Sequence, residues 1–315
     1  MKLYVPGLAG RLAIATGLLV ALAVAAVSVF SIGALRGLSA AEGLTRVELA
    51  VSAAREIVRQ STEDLLTAAR ILAERPPLLR LLRGSVPDAL PPYLTRYCEG
   101  AALDGCAIVQ DGRVIASSAG DFDWDALLIS VAEQGERFLA TGAAPGVALA
   151  GARAEVPERP GVLVVTLRRL DGAFAARTAE RVGLEIRIVD YASFRPGEGP
   201  LAILNSDSLT RGEAVSAEVD ELESYAASVP LAASTGEIVA LLQALLPMEE
   251  VAGPVSEMTG RIMLVALLVA GCALALGLML ILHVLGAMGA GDVKLFAAIG
   301  SVLGANLVLP TFLVV

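Results

Sequence analysis

The sequence predicts an α+β domain, built from a long N-terminal helix and an antiparallel sheet, that lies outside the cytoplasm between transmembrane helices. Three observations support this fold class. The stretches Leu12–Leu35 and Ile262–Gly291 contain no Asp, Glu, Lys or Arg. Nearly all of the charged residues lie between Arg36 and Arg261. Within that charged region, a helical repeat precedes short runs of β-forming residues, which is the pattern of a folded domain.

The two uncharged stretches are long enough to cross a membrane. A membrane-spanning helix needs about 20 consecutive apolar residues. Leu12–Leu35 and Ile262–Gly291 both meet this length, so we predict a transmembrane helix in each. Leu295–Val315 is also apolar, but Asn306 and Pro310 interrupt it. The sequence therefore predicts two or three spans, with the lipid bilayer as the partner of these stretches.

The basic residues near the spans predict the orientation of the chain. Lys2 and Arg11 precede the first uncharged stretch, and Lys294 follows the second. The positive-inside rule places these residues in the cytoplasm and residues 36–261 outside it, in a multi-pass protein of the inner (cytoplasmic) membrane. A cleaved signal peptide is the alternative for the first stretch. Its apolar core exceeds the usual length of about 7–15 residues, which favours an uncleaved anchor.

These boundaries divide the chain into four segments. Residues 1–35 form a cytoplasmic stub and the first transmembrane helix, and residues 36–261 form the extracytoplasmic domain. Residues 262–285 form the second transmembrane helix, and residues 286–315 form a C-terminal segment. The chain has a net charge of −9. This acidic balance argues against nucleic acid as a partner.

A long helix is predicted directly after the first span. Its small and apolar residues are spaced alternately three and four apart, as on one face of a helix. They are Leu44, Val47, Val51, Ala54, Val58, Ser61, Leu65, Ala68 and Leu72. This seam either packs on the chain's own domain or forms a homodimer through Leu44–Leu72. Pro76-Pro77 ends the helix because proline disfavours helical backbone in the residue before it.

A strand-rich region follows the long helix. Cys106–Gln110 and Arg113–Ser117 flank Asp111-Gly112, which is a strong signal for a two-residue hairpin. Val162–Leu167 and Glu185–Val189 are further runs of β-forming residues. Between them, Asp171 is predicted to cap a helix that ends at Gly183. The segments Val229–Leu231 and Glu237–Leu242 are expected to add a second small sheet.

The order of these elements resembles the Cache-type (PAS-like) extracytoplasmic sensor domains of bacterial receptors and histidine kinases. The stretch GCAIVQDGRVIASSA is similar to the first hairpin of that fold, and VLVVTLRRLDGAFAARTAERVGLEIRIVD to its later strand–helix–strand part. The resemblance implies a role in signal transduction and a small-molecule ligand on the concave face of the sheet. Trp124, Arg153 and Tyr191 are the candidate ligand-binding residues; packing is the alternative role for each.

Cysteine and histidine residues give few signals of chemistry. Cys98 and Cys106 lie in the region predicted to be outside the cytoplasm, where they either form a disulfide or remain buried thiols. Cys272 lies within the second span, where packing explains it. The chain has a single histidine, His283, at the end of an apolar stretch. No spacing predicts a metal site, and no cofactor is expected.

The C-terminal segment carries a compact motif around one acid, Asp292. The matching residues are Met288, Gly289, Gly291, Asp292, Val293, Lys294, Leu295, Ala297, Ala298 and Gly300. This run resembles the second active-site motif of the prepilin (type IV leader) peptidases, the GxGD family of membrane aspartic proteases. The resemblance covers about the last 30 residues. It implies that Asp292 is a catalytic carboxylate within a motif formed by Gly289, Gly291 and Lys294.

The expected catalytic pair is incomplete in this chain. Aspartic proteolysis needs two carboxylates, one acting as a base on water and one staying protonated. The family takes its first aspartate from an earlier membrane helix, but Leu12–Leu35 contains no acid, so the second catalytic Asp is not found. We therefore expect a membrane-anchored small-molecule sensor whose partial peptidase segment is not proteolytically competent alone. The alternative is a prepilin (GxGD) aspartic-type endopeptidase using Asp292.

The two resemblances meet near His283. A true fusion, a truncation and a misjoined gene model all explain such a junction, and the sequence leaves them open.

Overall fold

The computed structural model describes residues 8–84, 87–118, 122–141, 147–157, 159–195 and 197–284. The helices in these ranges are α1 (Leu8–Glu74), α2 (Pro76–Arg83), α3 (Leu90–Gly100), α4 (Trp124–Ser130), α5 (Gly172–Val182), α6 (Ala202–Arg211) and α7 (Met248–Val284). The strands are β1 (Gly105–Gln110), β2 (Arg113–Ser117), β3 (Arg137–Thr141), β4 (Ala148–Glu155), β5 (Val162–Leu170), β6 (Glu185–Asp190), β7 (Val215–Val219), β8 (Ser224–Ala232) and β9 (Ile238–Pro247). Short 3₁₀ helices lie at Pro87–Ala89 and Asp220–Leu222.

The chain divides into two compact units. One unit is Glu42–Met248, which contains both sheets. The other combines the residues up to Ala41 with those from Glu249 onwards. The first boundary therefore falls inside α1 and the second at the start of α7.

Helix α1 joins the first apolar stretch and the predicted long helix into a single helix of 67 residues. No proline interrupts the sequence between Leu8 and Glu74, so nothing forces a break. The helix ends at Glu74, and Arg75 has extended backbone (φ −68°, ψ 125°). Pro76 then opens α2, because proline is well suited to the first helical position. The predicted end of the long helix at Pro76-Pro77 is confirmed.

The predicted seam of α1 packs on the chain's own sheets. Seven of its nine residues are at most 4% exposed within a single chain, namely Val47, Val51, Ala54, Val58, Ser61, Leu65 and Leu72. The hydroxyl of the buried Thr166 in β5 donates a hydrogen bond to the Leu65 carbonyl oxygen at 2.9 Å. The burial of this face within one chain favours the packing alternative, and the homodimer through Leu44–Leu72 stays a prediction.

The first sheet has five antiparallel strands in the order β2-β1-β5-β4-β3. The predicted hairpin is confirmed: β1 and β2 are joined through Asp111 and Gly112, which both have positive φ (50° and 77°). Positive φ at both central residues is the requirement of a type I′ turn. One face of this sheet packs against α1, α2 and α3, and the other against α4. A disulfide joins Cys98 in α3 to Cys106 in β1.

The second sheet has four strands in the order β6-β9-β8-β7. It contains both segments that were predicted to form a second small sheet, as parts of β8 and β9. Strand β6, predicted as Glu185–Val189, pairs with β9, so the chain passes from the first sheet to the second through α5. Asp171 caps α5 by accepting a hydrogen bond from the Phe174 N–H at 3.0 Å, and Gly183 ends it with φ 78°. Both predicted ends of this helix are confirmed.

Two described helices are long and apolar enough to cross a membrane. These candidate spans are Leu22–Glu74 and Met248–Val269. Their apolar side chains include Phe30 (78% exposed) and Leu267 (74% exposed). Helix α7 starts at Met248, directly after β9, rather than at the predicted Ile262. The third predicted span, Leu295–Val315, lies outside the described residues.

Candidate functional site

Trp124 lies on the face of the first sheet that α4 covers. It is the first residue of α4, which begins after Asp123 caps the helix by accepting a hydrogen bond from the Ala126 N–H. The tryptophan side chain is 7% exposed, and its ring lies 5.5 Å from that of Phe122. Trp124 belongs to an apolar core whose other buried members come from α4 and four strands, namely Ala107, Val109, Leu127, Val131, Phe138, Ala140, Leu149, Val165 and Leu167. We call this cluster the Trp124 core.

The indole N–H of Trp124 is the polar exception in that core. Its Nε1 atom is buried and has no hydrogen-bond partner among the residues that the structure describes. Gly105 makes room for the indole, because a Cβ at that position would lie 3.2 Å from Trp124 and 2.8 Å from Phe122. A buried donor without an acceptor is unfavourable. The indole ring of Trp124 is therefore packed in the core without a hydrogen bond from its N–H to any described residue.

Arg153 lies on the same sheet face as Trp124, in the middle of β4. It is paired across the strands with Val165, a member of the Trp124 core. Its guanidinium donates a hydrogen bond to the backbone oxygen of Gln134. The Gln134 amide in turn donates to the Leu139 carbonyl oxygen at 2.9 Å. In this arrangement Arg153 holds the turn between α4 and β3.

Tyr191 is not brought together with the other two candidates. It follows β6 in the second sheet, is 43% exposed, and stacks on Phe194 with ring centroids 6.4 Å apart. The separation arises because Tyr191 follows a strand of the second sheet, whereas Arg153 lies in the first sheet and Trp124 in the helix that covers it. A single binding site made of all three residues does not form within this fold.

A cavity that sequence reasoning missed lies between α1, the α3–β1 loop, β5 and α5. Its volume is about 720 Å³, and its charged lining residues are Asp64, Asp104, Arg168, Arg177 and Arg181. We call it the Arg168 cavity. Pockets of about 300–1,000 Å³ are the usual size for small-molecule sites. Its size therefore makes the Arg168 cavity a candidate ligand site.

Two hydrogen bonds position Arg168 in its cavity, and helix spacing places Arg177 and Arg181 together. Arg168 lies near the end of β5 and donates to the Ser61 hydroxyl at 2.9 Å and to the Ala102 carbonyl oxygen at 3.3 Å. Arg177 and Arg181 are four residues apart, so they lie one above the other on α5. That spacing was visible in the sequence. The approach of α1 and the α3–β1 loop to these arginines could not be predicted from the sequence, because it depends on tertiary packing.

In a second basic cavity, of about 480 Å³ near α1 and β3, two of the arginines are paired with glutamates. It is lined by Arg55, Arg59 and Arg137, among other residues. Arg59 forms ion pairs with Glu56 and Glu63, and Arg137 pairs with Glu63 at 3.0 Å. The hydrogen bond from Arg59 lowers the pKa of the exposed Glu56 carboxyl. Arg59 and Arg137 of this cavity therefore already have carboxylate partners.

The described residues contain no group of three His, Cys, Asp or Glu side chains that could hold a metal ion. Asp292 and its motif residues Gly289, Gly291 and Lys294 lie outside the described residues.

Comparison with known families places the peptidase resemblance at the C-terminus. Residues 238–315 match the type IV leader peptidase family. The match begins well before the last 30 residues, at the first residue of β9, and includes all of α7. Strand β9 lies inside the second sheet, between β6 and β8. The matched segment therefore starts in the α+β unit. No curated protein matches this chain.

Solved structures similar to this chain are sensory domains. One is the periplasmic domain of Vibrio cholerae LuxQ, with 12% identity over 63% of this chain and 98% of that one, and a TM-score of 0.44. Another is the sensory domain of the Campylobacter jejuni chemoreceptor Tlp3, with 9% identity over 70% and 98%, and a TM-score of 0.44. A third is the ligand-binding domain of the Pseudomonas fluorescens chemoreceptor CtaA in complex with L-isoleucine, with 10% identity over 70% and 97%, and a TM-score of 0.41.

Proposed function

We propose that this chain is a membrane-anchored sensor of small molecules whose residues 36–261 lie outside the cytoplasm. Residues 1–35 and 262–285 provide the two anchors in the inner membrane. Residues 286–315 carry part of a leader peptidase that does not cleave peptides alone. In this proposal the α+β unit binds the ligand, and the peptidase segment has no proteolytic activity of its own.

The continuity of α1 is the observation that supports this proposal most strongly. The N-terminal part of the helix exposes apolar side chains such as Leu22, Val27 and Phe30, as a lipid-facing helix does. The later part of the same helix is buried by the sheets at Val47 and Leu65. One uninterrupted helix therefore connects the apolar stretch to the core of the α+β unit.

The absence of a second acid in the predicted spans supports the lack of proteolysis. Every Asp other than Asp292 lies between Arg36 and Arg261, on the opposite side of the membrane in this topology. A lone carboxylate cannot act as base and acid in the same step, whereas two carboxylates that share a proton can. The chain alone therefore offers half of the required dyad.

Ligand-dependent stability tests the sensor assignment. The full chain in lipid nanodiscs and the segment Leu38–Pro254 are each heated with a panel of amino acids, organic acids and amines. A ligand present at about 100 times its Kd adds about 2.7 kcal/mol to the stability of the folded state. We expect at least one compound to raise the melting temperature of both samples. A flat response to the whole panel would contradict ligand sensing.

The family match over residues 238–315 favours one other function, an aspartic-type prepilin endopeptidase that uses Asp292. The test is to express the chain with a prepilin substrate in cells that lack their own peptidase, beside the Asp292→Asn variant. We expect no cleavage with either chain. Cleavage by the unmodified chain that disappears with Asp292→Asn would make the peptidase the primary function.

A further inference from the structure

We propose that the Arg168 cavity binds a small dianion, either a dicarboxylate or a phosphate, between α1 and α5. This inference deepens the proposed sensing function and rests on it for its biological meaning. It assigns the ligand to a site other than the Trp124 core, on the opposite side of the first sheet. The assignment depends on three guanidinium groups, of which only that of Arg168 has hydrogen-bond partners among the described residues.

Two of these guanidinium groups have no partner among the residues that the structure describes. Arg177 and Arg181 are exposed on α5 and line the cavity, and neither makes a hydrogen bond or ion pair with the residues that the structure describes. Elsewhere in the described chain, Arg59, Arg137 and Arg187 all pair with glutamates. Like charges one helical turn apart repel each other. A bound dianion would remove that repulsion.

The third guanidinium is held in place before any ligand arrives. Arg168 is half-buried and donates to the Ser61 hydroxyl and the Ala102 carbonyl oxygen. A guanidinium has five N–H donors, so these two bonds leave others free. Its planar fork matches the geometry of carboxylate and phosphate groups. Prior orientation lowers the entropy that binding would otherwise cost.

The acidic residues of the cavity limit the charge of its ligand. Asp64 and Asp104 line the cavity with the three arginines, which leaves a small excess of positive charge. Asp104 also accepts a hydrogen bond from the Arg169 N–H at 2.8 Å, so it has a structural role. Asp64 is exposed and has no such bond among the described residues. Removal of the Asp64 charge should therefore tighten the binding of a dianion.

Calorimetric titration tests the site. The full chain in nanodiscs is titrated with sodium succinate and, separately, with inorganic phosphate at constant ionic strength. We expect saturable binding of at least one probe, and about tenfold or greater weakening in the double variant Arg177→Gln/Arg181→Gln, because hydrogen bonds to charged groups are lost. Binding of succinate alone identifies a dicarboxylate site, and binding of phosphate alone identifies a phosphate site.

Two further variants test whether the affinity depends on charges in the cavity or only on the net charge of the chain. Arg211→Gln removes one positive charge from the last turn of α6 and should leave the affinity unchanged. Asp64→Asn should increase the affinity. Circular dichroism verifies that every variant is folded. No binding of either probe to the unmodified chain, or equal affinity in the Arg177/Arg181 variant, would overturn the inference. If other compounds still raise the melting temperature, only this site assignment fails and the sensing function stands.

Discussion

Gly43 sets how closely α1 approaches the second sheet. A Cβ at this position would lie 2.6 Å from Cε2 and 2.9 Å from Cγ of Tyr225. The tyrosine ring is 7% exposed and has little room to move. We expect Gly43→Ala to lower the free energy of unfolding of the α+β unit in the full chain by about 1–3 kcal/mol through overpacking. Urea unfolding followed by circular dichroism measures this change.

Gly37 is the matched control for that substitution. It lies in the same helix, and nothing lies within 4 Å of a Cβ built there. In the full chain, Gly37→Ala should leave the α+β unit as stable as before, since alanine is the better helix former. Equal destabilisation by Gly37→Ala and Gly43→Ala would contradict the proposed close contact.

Asn205 is the centre of a buried polar network in the second sheet. Its Oδ1 atom accepts hydrogen bonds from the Ser228 hydroxyl and the Gln243 amide, both at 2.9 Å. All three side chains are at most 4% exposed. Asn205→Ala leaves two buried donors without an acceptor, so we expect the free energy of unfolding to fall by about 2–4 kcal/mol.

The neighbouring residue supplies the control for the Asn205 network. Ser206 lies on the same helix but is exposed. Ser206→Ala should change the unfolding free energy by no more than about 0.5 kcal/mol. A small effect of Asn205→Ala in the same urea titration would show that the network does not stabilise the fold.

Residue roles were harder to predict than residue locations. Trp124 and Arg153 were predicted to bind ligand, and the structure does place them on one face of the first sheet. Their contacts, however, are with the protein itself: a core for Trp124 and the Gln134 carbonyl for Arg153. A sequence shows which side chains are capable of binding. It does not show which of these side chains already have packing contacts or hydrogen-bond partners within the folded chain.

The disulfide between α3 and β1 gives a prediction at the scale of elements. Cys98 and Cys106 are eight residues apart and are bonded in the structure. In the loop-entropy account, closing a loop of this length stabilises the fold by about 2–3 kcal/mol. We expect the denatured, unreduced chain to show one free thiol, at Cys272, and three after reduction.

The same thiol count reports on the compartment. Disulfides persist outside the cytoplasm and are rare within it. Chain isolated from cells with alkylation during lysis should therefore keep both Cys98 and Cys106 protected. Full alkylation of all three cysteines in native membranes would contradict the pairing and weaken the extracytoplasmic assignment.

Elements with strong local signals were predictable, and elements that depend on their neighbours were not. The hairpin at Asp111-Gly112 and the helix between Asp171 and Gly183 follow from turn and capping chemistry. Strand β4 was missed because its sequence, ALAGARAE, lacks strong β-formers. This segment forms a strand because it pairs with β3 on one side and β5 on the other. Gly151 in β4 leaves the space that the ring of Phe138 fills.

At the scale of the molecule, periodicity showed that one face of α1 is covered but not what covers it. The same alternate spacing suits a dimer seam and a helix on its own sheets. The structure favours the second, with Val51 and Leu65 fully buried in one chain. A second sheet was predicted from Val229–Leu231 and Glu237–Leu242, but the place of β6 in it was not, because β5 and β6 are close in sequence and yet belong to different sheets.

The central claim is that the α+β unit lies outside the cytoplasm while Lys294 lies inside. Alkaline phosphatase and green fluorescent protein, fused separately after Gly120 and after Lys294, test it most directly, because phosphatase is active only outside and the fluorescent protein reports the inside. The account predicts phosphatase activity without fluorescence after Gly120, and fluorescence without phosphatase activity after Lys294. A fluorescent, phosphatase-negative fusion after Gly120 would contradict both the sensor assignment and the side of the membrane assigned to Asp292.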